Sequence, residues 1–449
     1  MTKIQRTSEI SFEIFDHIQL WIPPDVVILT MMFDARKLKA KIFADRYNRM
    51  IFEEGKGRDL YLVGGYIRDI LRGEHSPDRD YILSGDLASF VNKTRKIISG
   101  TVVKFKKGNM VRLALKDGLT FDFSKLEVAI EEDLSKRDFT VNAMAWSPDN
   151  GITDLYNGLD DLKKKIIRCI SKKNLLSDPL RMLRAYRFAA ELNGSIEKRT
   201  RNLIKILNNN IEKTSSERIT LELFNLLNSR HSAKYLKMAL SDGLLTSVLF
   251  IPHEILERNI KAISLLERAR INEFPSRIKV QLNKIFSQNV TYKGLLCLEL
   301  LLDSRFHSRE TVPNLIISNA VRKRIELGRK GLEVLGKRRL ISAKRLYDIF
   351  MMSGNAAVDV LIMSGRIDLI GEYRRFQKIW RKGVLNSHEI MKIADIEGGR
   401  LLGRIIIELR RAEFEGRVKS KRSAVTFVGD LASEIAPDFG ERPVMMSGL

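Results

Sequence analysis

The chain has 449 residues, which is too long for one compact domain and predicts about three. Apolar residues make up 44% of the sequence, enough to fill buried cores, and the formal net charge of +23 favours a polyanionic partner. The two cysteines, Cys169 and Cys297, cannot form a disulfide framework and suit a reducing compartment. The six histidines show no pattern typical of a zinc site.

The N-terminal part of the sequence contains neither a recognisable transmembrane helix nor a secretory signal. Its most apolar run, residues 18–33, includes two prolines and an aspartate, is short for a membrane span and lacks a basic start and a cleavage site. We therefore expect a cytoplasmic protein without membrane association. Residues 1–35 are expected to form an extension, or the true start lies near Met31 or Met32.

The part before residue 171 alternates predicted helices and strands. A helical pattern over 35–54 ends at Gly55, and an apolar strand at 60–63 stops at a glycine pair that a short helix follows. The remaining predicted elements are a second strand that carries Asp78 and Asp80, a helix over 87–98, and strands over 101–105, 110–115 and 119–123 with glycine turns at Gly108 and Gly118. Together they predict a small mixed sheet with helices against it.

After about residue 171 the pattern changes. Strand-like runs and turn glycines become rare, and apolar residues recur at helical spacing to about residue 435. We therefore expect an all-helical arm that is longer than the part before it.

The first candidate site consists of three carboxylates. Asp78 and Asp80 lie two residues apart on one predicted strand and therefore project from the same face, and Asp122 lies on a neighbouring strand. Such a set can hold two Mg²⁺ ions for phosphoryl or nucleotidyl displacement. The alternatives are a solvated turn for the pair and an edge-strand acid facing water for Asp122.

Close to this pair lies the glycine turn of Gly64 and Gly65. Glycine lets backbone N–H groups approach a phosphate, and the start of the following helix, which carries Arg68, favours an anion. The turn and the acid pair together indicate metal-dependent work on a nucleotide.

The second candidate lies in the segment KRDFTVNAMA, residues 136–145. Asp138 is expected to cap a helix whose apolar side is Phe139, Val141, Ala143 and Met144. A charged and amide cluster beside such a helix can bind ribose hydroxyls and phosphates. The alternative is a helix cap that basic residues happen to precede.

The third candidate is the segment SDPLRMLRAYRF, residues 177–188. Asp178 before a proline is a good helix start, and Arg181, Arg184 and Arg187 follow at helical spacing. An aspartate and an arginine one turn apart can present an acceptor and donors to the edge of a base, and the other arginines can reach phosphates. The alternative is a solvated basic face with an ion pair of little energetic value.

The chain carries in a fixed order the segments LVGGYIRDILRG with DRD, EEDLSKRDFTVNAMA, SDPLRMLRAYRFAAEL and SSERITLEL. In order and spacing they resemble the class II tRNA nucleotidyltransferase and bacterial poly(A) polymerase family over residues 59–235. The late segment HEIMKIADIEGGRLLGRIIIELRRAEFEGRV resembles the C-terminal region of that family. Two positions depart from it, since Lys136 stands where the family often has arginine and Ser177 where it often has glutamate.

The resemblance implies an α+β fold, with a polymerase-beta-type nucleotidyltransferase head containing a small mixed sheet and an elongated all-helical neck, body and tail after it. It implies an N-terminal extension and helix at 1–58, the catalytic head at 59–170, a neck with the nucleotide-selecting motif at 171–235, a body at 236–330 and a tRNA-binding tail at 331–449.

The resemblance also assigns roles to the candidate residues. Asp78 and Asp80 would be the metal ligands for two Mg²⁺ ions, with Asp122 as the third catalytic acid. The nucleotide-binding residues would be Gly64, Gly65 and Arg68 at the triphosphate, Arg137, Asp138 and Asn142 in the ribose motif, Asp178 and Arg181 at the base, and Arg184.

The implied function is template-independent addition of C, and in some members A, from CTP and ATP to the 3′ end of tRNA. Only fifteen positions separate Asp122 from Arg137, where CCA-adding members usually carry a longer flexible loop, so the chain resembles CC-adding members in this respect. The alternatives are a poly(A) polymerase and a catalytically silent RNA-binding protein.

RNA binding is expected in the helical arm. Arg400, Arg404 and Arg411 lie near one another at helical spacing, and Lys419 adds to them. The alternative is a solvated helix face. The sequence indicates no protein partner.

Overall fold

A computed structural model describes residues 35–105, 109–270, 276–287, 290–302, 315–336 and 341–435. The expected N-terminal extension up to residue 34 and the turn at Gly108 lie outside the described residues. The chain divides into two compact units, one of Met1–Arg181 with Leu192–Leu203, the other of Met182–Glu191 with Ile204–Leu449.

The first unit begins with two helices, α1 (Ala35–Ala44) and α2 (Arg46–Glu54), where the sequence pattern predicts a single helix. The break lies at Asp45, whose backbone is extended and whose carboxylate accepts hydrogen bonds from the N–H groups of Tyr47 and Asn48. Because Asp45 caps α2, α1 cannot continue through this residue. The predicted single helix is therefore two helices.

The centre of the first unit is a seven-stranded mixed sheet. Its order is β3-β4-β5-β2-β1-β6-β7; β2 pairs with β5 in parallel, and the other neighbours pair antiparallel. The strands are β1 (Leu60–Val63), β2 (Asp78–Leu83), β3 (Thr101–Lys104), β4 (Met110–Ala114), β5 (Thr120–Lys125), β6 (Ala145–Ser147) and β7 (Gly151–Thr153). The predicted small mixed sheet is confirmed.

Helices connect and cover these strands. They are α3 (Gly65–Arg72), α4 (Leu87–Ile98), α5 (Ile130–Ser135) and α6 (Gly158–Lys164), followed by α7 (Lys172–Ser177), the start of α8 (Leu180–Leu192), and α9 (Lys198–Leu207). The prediction of α4 is confirmed at both ends; Asp86 caps it through the N–H groups of Ala88 and Ser89. A two-residue parallel pair, β8 (Ile166–Ile167) with β9 (Ser195–Ile196), completes this unit.

Aromatic side chains fill the core between the sheet and its helices. Tyr81 on β2 stacks on Phe123 of β5 with ring centroids 5.3 Å apart, and Phe52 of α2 meets the edges of Tyr81 and Trp146. Phe121 and Phe123 are completely buried. Burial of each ring stabilises the fold by about 1.5–3 kcal/mol. Because the two phenylalanines alternate with polar residues along β5, this stabilisation determines which face of the strand packs against the core.

The predicted helix after Asp138 is wrong. The structure has a single 3-10 turn at Thr140–Asn142, and β6 follows at once. Val141, Ala143 and Met144 are all completely buried, so no side of the segment faces water as an amphipathic helix would require. The turn packs closely on α6, where a Cβ at Gly158 would lie 2.2 Å from the carbonyl oxygen of Thr140.

The second unit is helical apart from one short strand pair. The pair β10 (Ile285–Ser287) with β11 (Val290–Thr291) interrupts the region for which the sequence predicts helices alone. The helices are α10 (Ser216–Asn228), α11 (Ser232–Ser241), α12 (Leu244–Leu249), α13 (His253–Leu265), α14 (Ser276–Asn283), α15 (Tyr292–Leu302), α16 (Asn319–Leu335), α17 (Ala343–Ser353), α18 (Ala357–Met363), α19 (Ile370–Arg381), α20 (Ser387–Ala394), α21 (Arg400–Glu415) and α22 (Lys421–Ile435).

One stretch of the described chain, Ala343–Met363, is long and apolar enough to cross a membrane by length and composition alone. It consists of α17, a 3-10 turn and α18, and 61% of its apolar window is buried inside the protein. Tyr347 and Phe350 from this stretch pack against Phe376 and Phe414. These contacts are those of a core helix.

Candidate active site

The glycine turn after β1 lies directly against the acid-bearing strand. Gly64 adopts φ +70°, a conformation that favours glycine, and its N–H donates to the carbonyl of Met144 at 3.0 Å. A Cβ at Gly64 would lie 3.6 Å from a guanidinium nitrogen of Arg137 and 3.9 Å from a carboxylate oxygen of Asp80. The backbone of the turn, which has no side chain at Gly64, therefore lies close to the side chains of both Asp80 and Arg137.

Asp78 and Asp80 lie on one face of β2, as the sequence predicts. Asp78 is exposed and accepts a hydrogen bond from the hydroxyl of Thr120, its register partner on β5. Asp80 is more enclosed and stands opposite Asp122 in the parallel pairing of β2 with β5. Asp80 and Asp122 thus lie side by side on adjacent strands, and Asp78 lies two positions along β2 from this pair.

Asp80 resists ionisation in this environment. Burial raises the pKa of Asp80 to about 6, and the charges of Asp122 and Asp78 act in the same direction while Arg137 and Arg112 oppose them. A carboxylate that is costly to ionise beside other carboxylates gains most from a bound cation. The electrostatics of this strand face therefore fit a cation site.

Asp122 is held by a partner that the sequence reasoning did not consider. Arg112, opposite Asp122 on β4, donates two hydrogen bonds to its carboxylate, each at 2.6 Å. Within the described ranges, no three His, Cys, Asp or Glu side chains are grouped so that they could hold a metal ion. The assignment of Asp78 and Asp80 as metal ligands and the catalytic role of Asp122 stay predictions.

The donor set of Asp78 and Asp80 fits a hard divalent cation. Both groups offer carboxylate oxygens, the ligands that Mg²⁺ prefers, and they leave the same face of one strand two residues apart. These two side chains would hold the ion implied by the family.

Arg68 is the centre of a buried polar network. Its guanidinium donates to Asp69 at 2.9 and 3.1 Å and to the side-chain oxygen of Asn142 at 2.7 Å. The amide of Asn142 in turn donates to Asp138 at 2.9 Å, and the same oxygen of Asp138 accepts the N–H of Phe139 at 2.8 Å. The structure thus brings together the predicted triphosphate residue and two residues of the predicted ribose motif.

Arg137 lies beside this network and is connected to the next motif through Asn174. Its side chain pairs with Asp133 of α5 at 2.7 Å. The side-chain amide of Asn174 donates to the backbone carbonyls of Ser135 and Arg137, both at 2.7 Å, and the carbonyl of Asn174 accepts from Arg181 at 3.1 Å. Sequence reasoning missed Asn174, although Ser171, three residues earlier, is a recognisable N-cap of α7.

Asp178 lies between α7 and α8, as predicted for a helix start before proline. Its carbonyl accepts the N–H of Arg181 at 3.0 Å at the beginning of α8, so Asp178 directly precedes the helix that carries Arg181. Asp178 and Arg181 belong to the first compact unit, and Arg184 belongs to the second.

Within the second unit, the arginines of α8 contact acidic side chains. Arg187 pairs with Glu222 and with Glu191, and its guanidinium lies 3.7 Å from the ring centroid of Phe188. Arg184 lies farther from Glu222, at 4.0 Å. Because two carboxylates and a ring enclose Arg187, its guanidinium is used for contacts within the protein.

A buried arginine between the two acids is a further residue that the sequence reasoning missed. Arg79 points to the opposite face of β2, donates to the carboxylate of Asp45 and lies over the rings of Tyr66 and Phe121 at 5.0 and 5.2 Å. The alternation along a strand predicts that Arg79 faces away from its neighbours, but nothing in the sequence pairs it with Asp45.

The four predicted RNA-binding residues differ in their surroundings. Arg400, Arg404 and Lys419 are exposed. Arg411 instead donates to Asp348 at 2.7 Å and to Glu408 at 3.3 Å. Part of the charge predicted for this helix face is therefore used within the protein.

Residues 60–168 match the family model described as the Poly A polymerase head domain, and residues 195–253 match the one described as the probable RNA and SrmB-binding site of polymerase A. Over these two regions the chain is similar to the class II tRNA nucleotidyltransferase and bacterial poly(A) polymerase family. The head model of this family covers the glycine turn, all three predicted acids and the Arg68–Asn142–Asp138 network.

Curated relatives are similar to the chain over the same part of the sequence. The chain is 35% identical over 189 residues to the CC-adding tRNA nucleotidyltransferase of Synechocystis sp., covering 41% of this chain and 45% of the relative. It is 34% identical over 203 residues to the CCA-adding enzyme of Leuconostoc mesenteroides, covering 42% and 51%. The alignments thus span about half the length of these curated relatives.

The Thermotoga maritima CCA-adding enzyme complexed with tRNA_CCA superimposes with a TM-score of 0.70 at 21% identity, covering 88% of this chain and 98% of that one. This likeness confirms the α+β fold with a helical remainder.

Proposed function

We propose that this chain is a template-independent tRNA nucleotidyltransferase that adds C from CTP to the 3′ end of tRNA. The observation that carries the proposal is the geometry around Asp80, which lies beside Asp78 on β2, opposite Asp122 and close to the glycine turn at Gly64. The similar relatives are a CC-adding tRNA nucleotidyltransferase and a CCA-adding enzyme, which supports the same reaction.

In this reaction the 3′-hydroxyl of the RNA attacks the α-phosphate of the nucleotide. A new bond forms between O3′ and phosphorus, the bond to the β-phosphate oxygen breaks, the hydroxyl proton is lost and pyrophosphate leaves. Magnesium, of which we expect two ions, supplies charge neutralisation and activation of the hydroxyl when bound. Asp78 and Asp80 would hold it, and Asp122 would be the third acid.

The residues around the acids would position the nucleotide. The backbone N–H of Gly65 and the guanidinium of Arg68 would bind the triphosphate, and Gly64, which has no side chain, would let it approach the turn. Asn142 holds Arg68 and Asp138 in one network, so that the ribose side and the phosphate side of the site are mutually oriented. Arg137 would complete the ribose contacts.

Base selection would fall to Asp178 and Arg181, with Arg184 as a further nucleotide contact. Their acceptor and donors would match the edge of the selected base, and a base that left them unpaired would be rejected. We further propose CC-adding specificity, because only fifteen positions separate Asp122 from Arg137 and α5 occupies six of them. The neck, body and tail boundaries and a cytoplasmic location belong to the same proposal.

The decisive experiment offers single nucleotides to the purified protein together with Mg²⁺ and a tRNA that lacks its 3′ end. We expect extension with CTP alone and no further addition when ATP follows. Failure to extend that tRNA with CTP contradicts the proposed function, and synthesis of a complete CCA end contradicts the CC-adding specificity only.

Two variants separate catalysis from RNA binding. Asp80→Ala is expected to abolish incorporation and to leave the affinity for tRNA mostly unchanged. Lys93→Ala, on the exposed side of α4, is the matched control and is expected to retain incorporation. Activity that survives Asp80→Ala would overturn the metal assignment, and a wild-type protein that binds tRNA without incorporation would be a silent RNA-binding protein.

A poly(A) polymerase is the second candidate, because the matching family model is described as a Poly A polymerase head domain. Such an enzyme catalyses the same displacement but is less selective for the RNA primer. Long A tails on an unstructured RNA with ATP alone would favour it over the tRNA enzyme.

A further inference from the structure

Asn174 forms hydrogen bonds to both of the segments that are proposed to contact the base and the ribose of the nucleotide. It is buried, with 7% of the residue exposed. Its side-chain amide donates to the backbone carbonyls of Ser135 and Arg137, 39 and 37 positions earlier in the chain. Its own carbonyl accepts from the guanidinium of Arg181, seven positions later. One residue therefore connects the proposed ribose segment to a proposed base-selecting side chain.

The ends of two short helices explain why these carbonyls accept hydrogen bonds from side chains. The last four carbonyls of a helix have no partner within that helix. Ser135 is the last residue of α5, so its carbonyl needs a donor from outside the helix. Asn174 lies in α7, which has only six residues and ends before the extended backbone of Asp178. The carbonyl of Asn174 accordingly accepts from the side chains of Ser177 and Arg181, at 3.0 and 3.1 Å.

The primary amide of Asn174 has the donors and the acceptor that this position needs. Its nitrogen carries two hydrogens, one for each of the two carbonyls at 2.7 Å. Its oxygen accepts from the hydroxyl of Ser171 at 2.9 Å, and that hydroxyl accepts the N–H of Asn174 at 3.1 Å. The reverse orientation of the amide would place its oxygen against two carbonyl oxygens, so the network determines the orientation. An ionised aspartate of the same shape would offer no donor to either carbonyl.

We propose that Asn174 is a positioning residue that holds the guanidinium of Arg181 in a fixed relation to the ribose segment at Arg137. The proposal rests on the proposed function and adds to it a residue that lies outside both matched regions, 60–168 and 195–253. An arginine side chain has several rotatable bonds, and it can distinguish bases only if its donors stay in one place. The carbonyl of Asn174 provides a fixed acceptor for it, and the amide of the same residue fixes that carbonyl relative to Arg137.

The base side and the ribose side of the site should therefore respond together to a change at Asn174. Cytosine presents an amino donor at its edge where uracil presents a carbonyl oxygen, so the affinity ratio of CTP to UTP reports base selection. CTP and dCTP differ only at the ribose, so their affinity ratio reports the ribose side. A residue that positions both sides changes both ratios, whereas a loss of stability alone changes neither.

The test uses the full chain with Asn174→Asp, which keeps the shape of the side chain and removes both donors. The measurements are the dissociation constants for CTP, UTP and dCTP with Mg²⁺, and the free energy of unfolding from denaturant titration. The matched control is Asn259→Asp. Asn259 is a buried asparagine of α13, and its amide donates to the carbonyl of Leu301 at 2.8 Å within the second unit. The same chemical change is thus made at a buried amide that has no proposed role in nucleotide binding.

We expect Asn174→Asp to reduce the preference for CTP over UTP by about tenfold, the size of one hydrogen bond to a charged group, and to reduce the preference for CTP over dCTP by about threefold or more. The control is expected to lower the free energy of unfolding and to keep both ratios within about twofold of the wild type. Unchanged ratios in Asn174→Asp, or equal changes in the two variants, would overturn the proposal. A change in only one ratio would contradict the connection between the two segments.

A second variant, Asn174→Ala, guards against misfolding, because it removes the amide without placing a carboxylate against two carbonyl oxygens. We expect both ratios to change in the same direction by a smaller amount. Asn174→Ala is also combined with Arg181→Ala. If Asn174 acts through Arg181, the double variant has the same preference for CTP over UTP as Arg181→Ala alone. A further loss of preference in the double variant would contradict the proposal.

The binding measurements do not depend on catalysis. If the wild type prefers CTP in binding but does not extend tRNA, the proposed function fails, and the comparison of variants still decides the role of Asn174. If the wild type extends tRNA with CTP and Asn174→Asp keeps both ratios, the role of Asn174 fails alone. A wild type that binds CTP, UTP and dCTP equally would contradict the role of Asn174 directly.

Discussion

The guanidinium of Arg79 donates to the carboxylate of Asp45, the same group that caps α2. Arg79 stands between Asp78 and Asp80 on β2 and faces the other side of the sheet. The pair therefore connects β2, which carries the proposed metal ligands, to the start of α2 on the opposite face of the sheet. Its side chains are 3% and 17% exposed, so neither charge is well solvated without the other.

Substitution of Arg79 by leucine is expected to destabilise the protein. The change leaves Asp45 without its buried partner, and breaking such pairs costs about 3–5 kcal/mol. The measurement is the free energy of unfolding from denaturant titration. Lys136→Met is the control, because the pair of Lys136 with Glu132 is exposed and contributes little to stability. Similar losses in the two variants would contradict the prediction.

Asn142→Ala tests the network behind the nucleotide site. The substitution removes the acceptor of Arg68 and the donor to Asp138, so both side chains lose their fixed orientation. We expect kcat/KM for CTP to fall by about tenfold or more, the size of one or two charged hydrogen bonds. Asn109→Ala, which removes an exposed hydrogen bond to Glu127, should leave kcat/KM unchanged. An active Asn142→Ala enzyme would remove this network from the mechanism.

Asp122→Asn distinguishes the two roles that remain open for this acid. If Asp122 is catalytic, the substitution is expected to lower incorporation by about a hundredfold or more, with little change in the free energy of unfolding. An acid that serves only as the partner of Arg112 would lower stability and leave kcat nearly intact. The comparison variant is Arg112→Gln, which removes the same pair but keeps the carboxylate. We expect it to retain more activity than Asp122→Asn.

Glu299 makes stability depend on pH. It is buried on α15, and neither carboxyl oxygen has a hydrogen-bond partner among the described residues. Burial, and next the charge of Asp359, raise the pKa of Glu299 well above its ordinary value, although Arg324 and Arg329 oppose this. The unfolded chain releases this proton near pH 4–5, around the ordinary pKa of glutamate, whereas the native protein keeps it.

It follows that Glu299 lowers the stability of the native state as pH rises above that range. Glu299→Gln removes the titration, so we expect the variant to gain stability over the wild type between pH 5 and pH 8, the difference increasing with pH. Denaturant midpoints at several pH values measure it. Glu326→Gln, at an exposed position of α16, is the control. A difference that does not change with pH would contradict the raised pKa.

The local pattern of the sequence was enough to predict most of the head. Apolar alternation and glycine turns predict β1, β3, β4 and β5 within about two residues and α4 at both ends, whereas β6 and β7 were not predicted. The neighbouring positions of Asp78, Asp80 and Asp122 follow from the same alternation. The assignment of Arg68, Asn142 and Asp138 to one site required the family resemblance, because seventy positions separate the first from the others.

What the sequence could not provide were contacts between distant segments. Asp45 interrupts a helical pattern because it caps α2, and its bond to Arg79 joins residues 34 positions apart. The turn at Thr140–Asn142 replaces a predicted helix because burial on all sides outweighs local preference. Arg112 reaches Asp122 only once β4 and β5 are paired.

Phe121 and Phe123 flank Asp122 on β5, and both are completely buried. A slip of β5 by one residue would expose both rings to water and turn the acid into the core, at a cost of about 3–6 kcal/mol for the two rings alone. The packing of these two rings in the hydrophobic core therefore determines which face of the sheet Asp122 occupies. Insertions in the turn between β4 and β5 are therefore expected to leave the orientation of Asp122 unchanged.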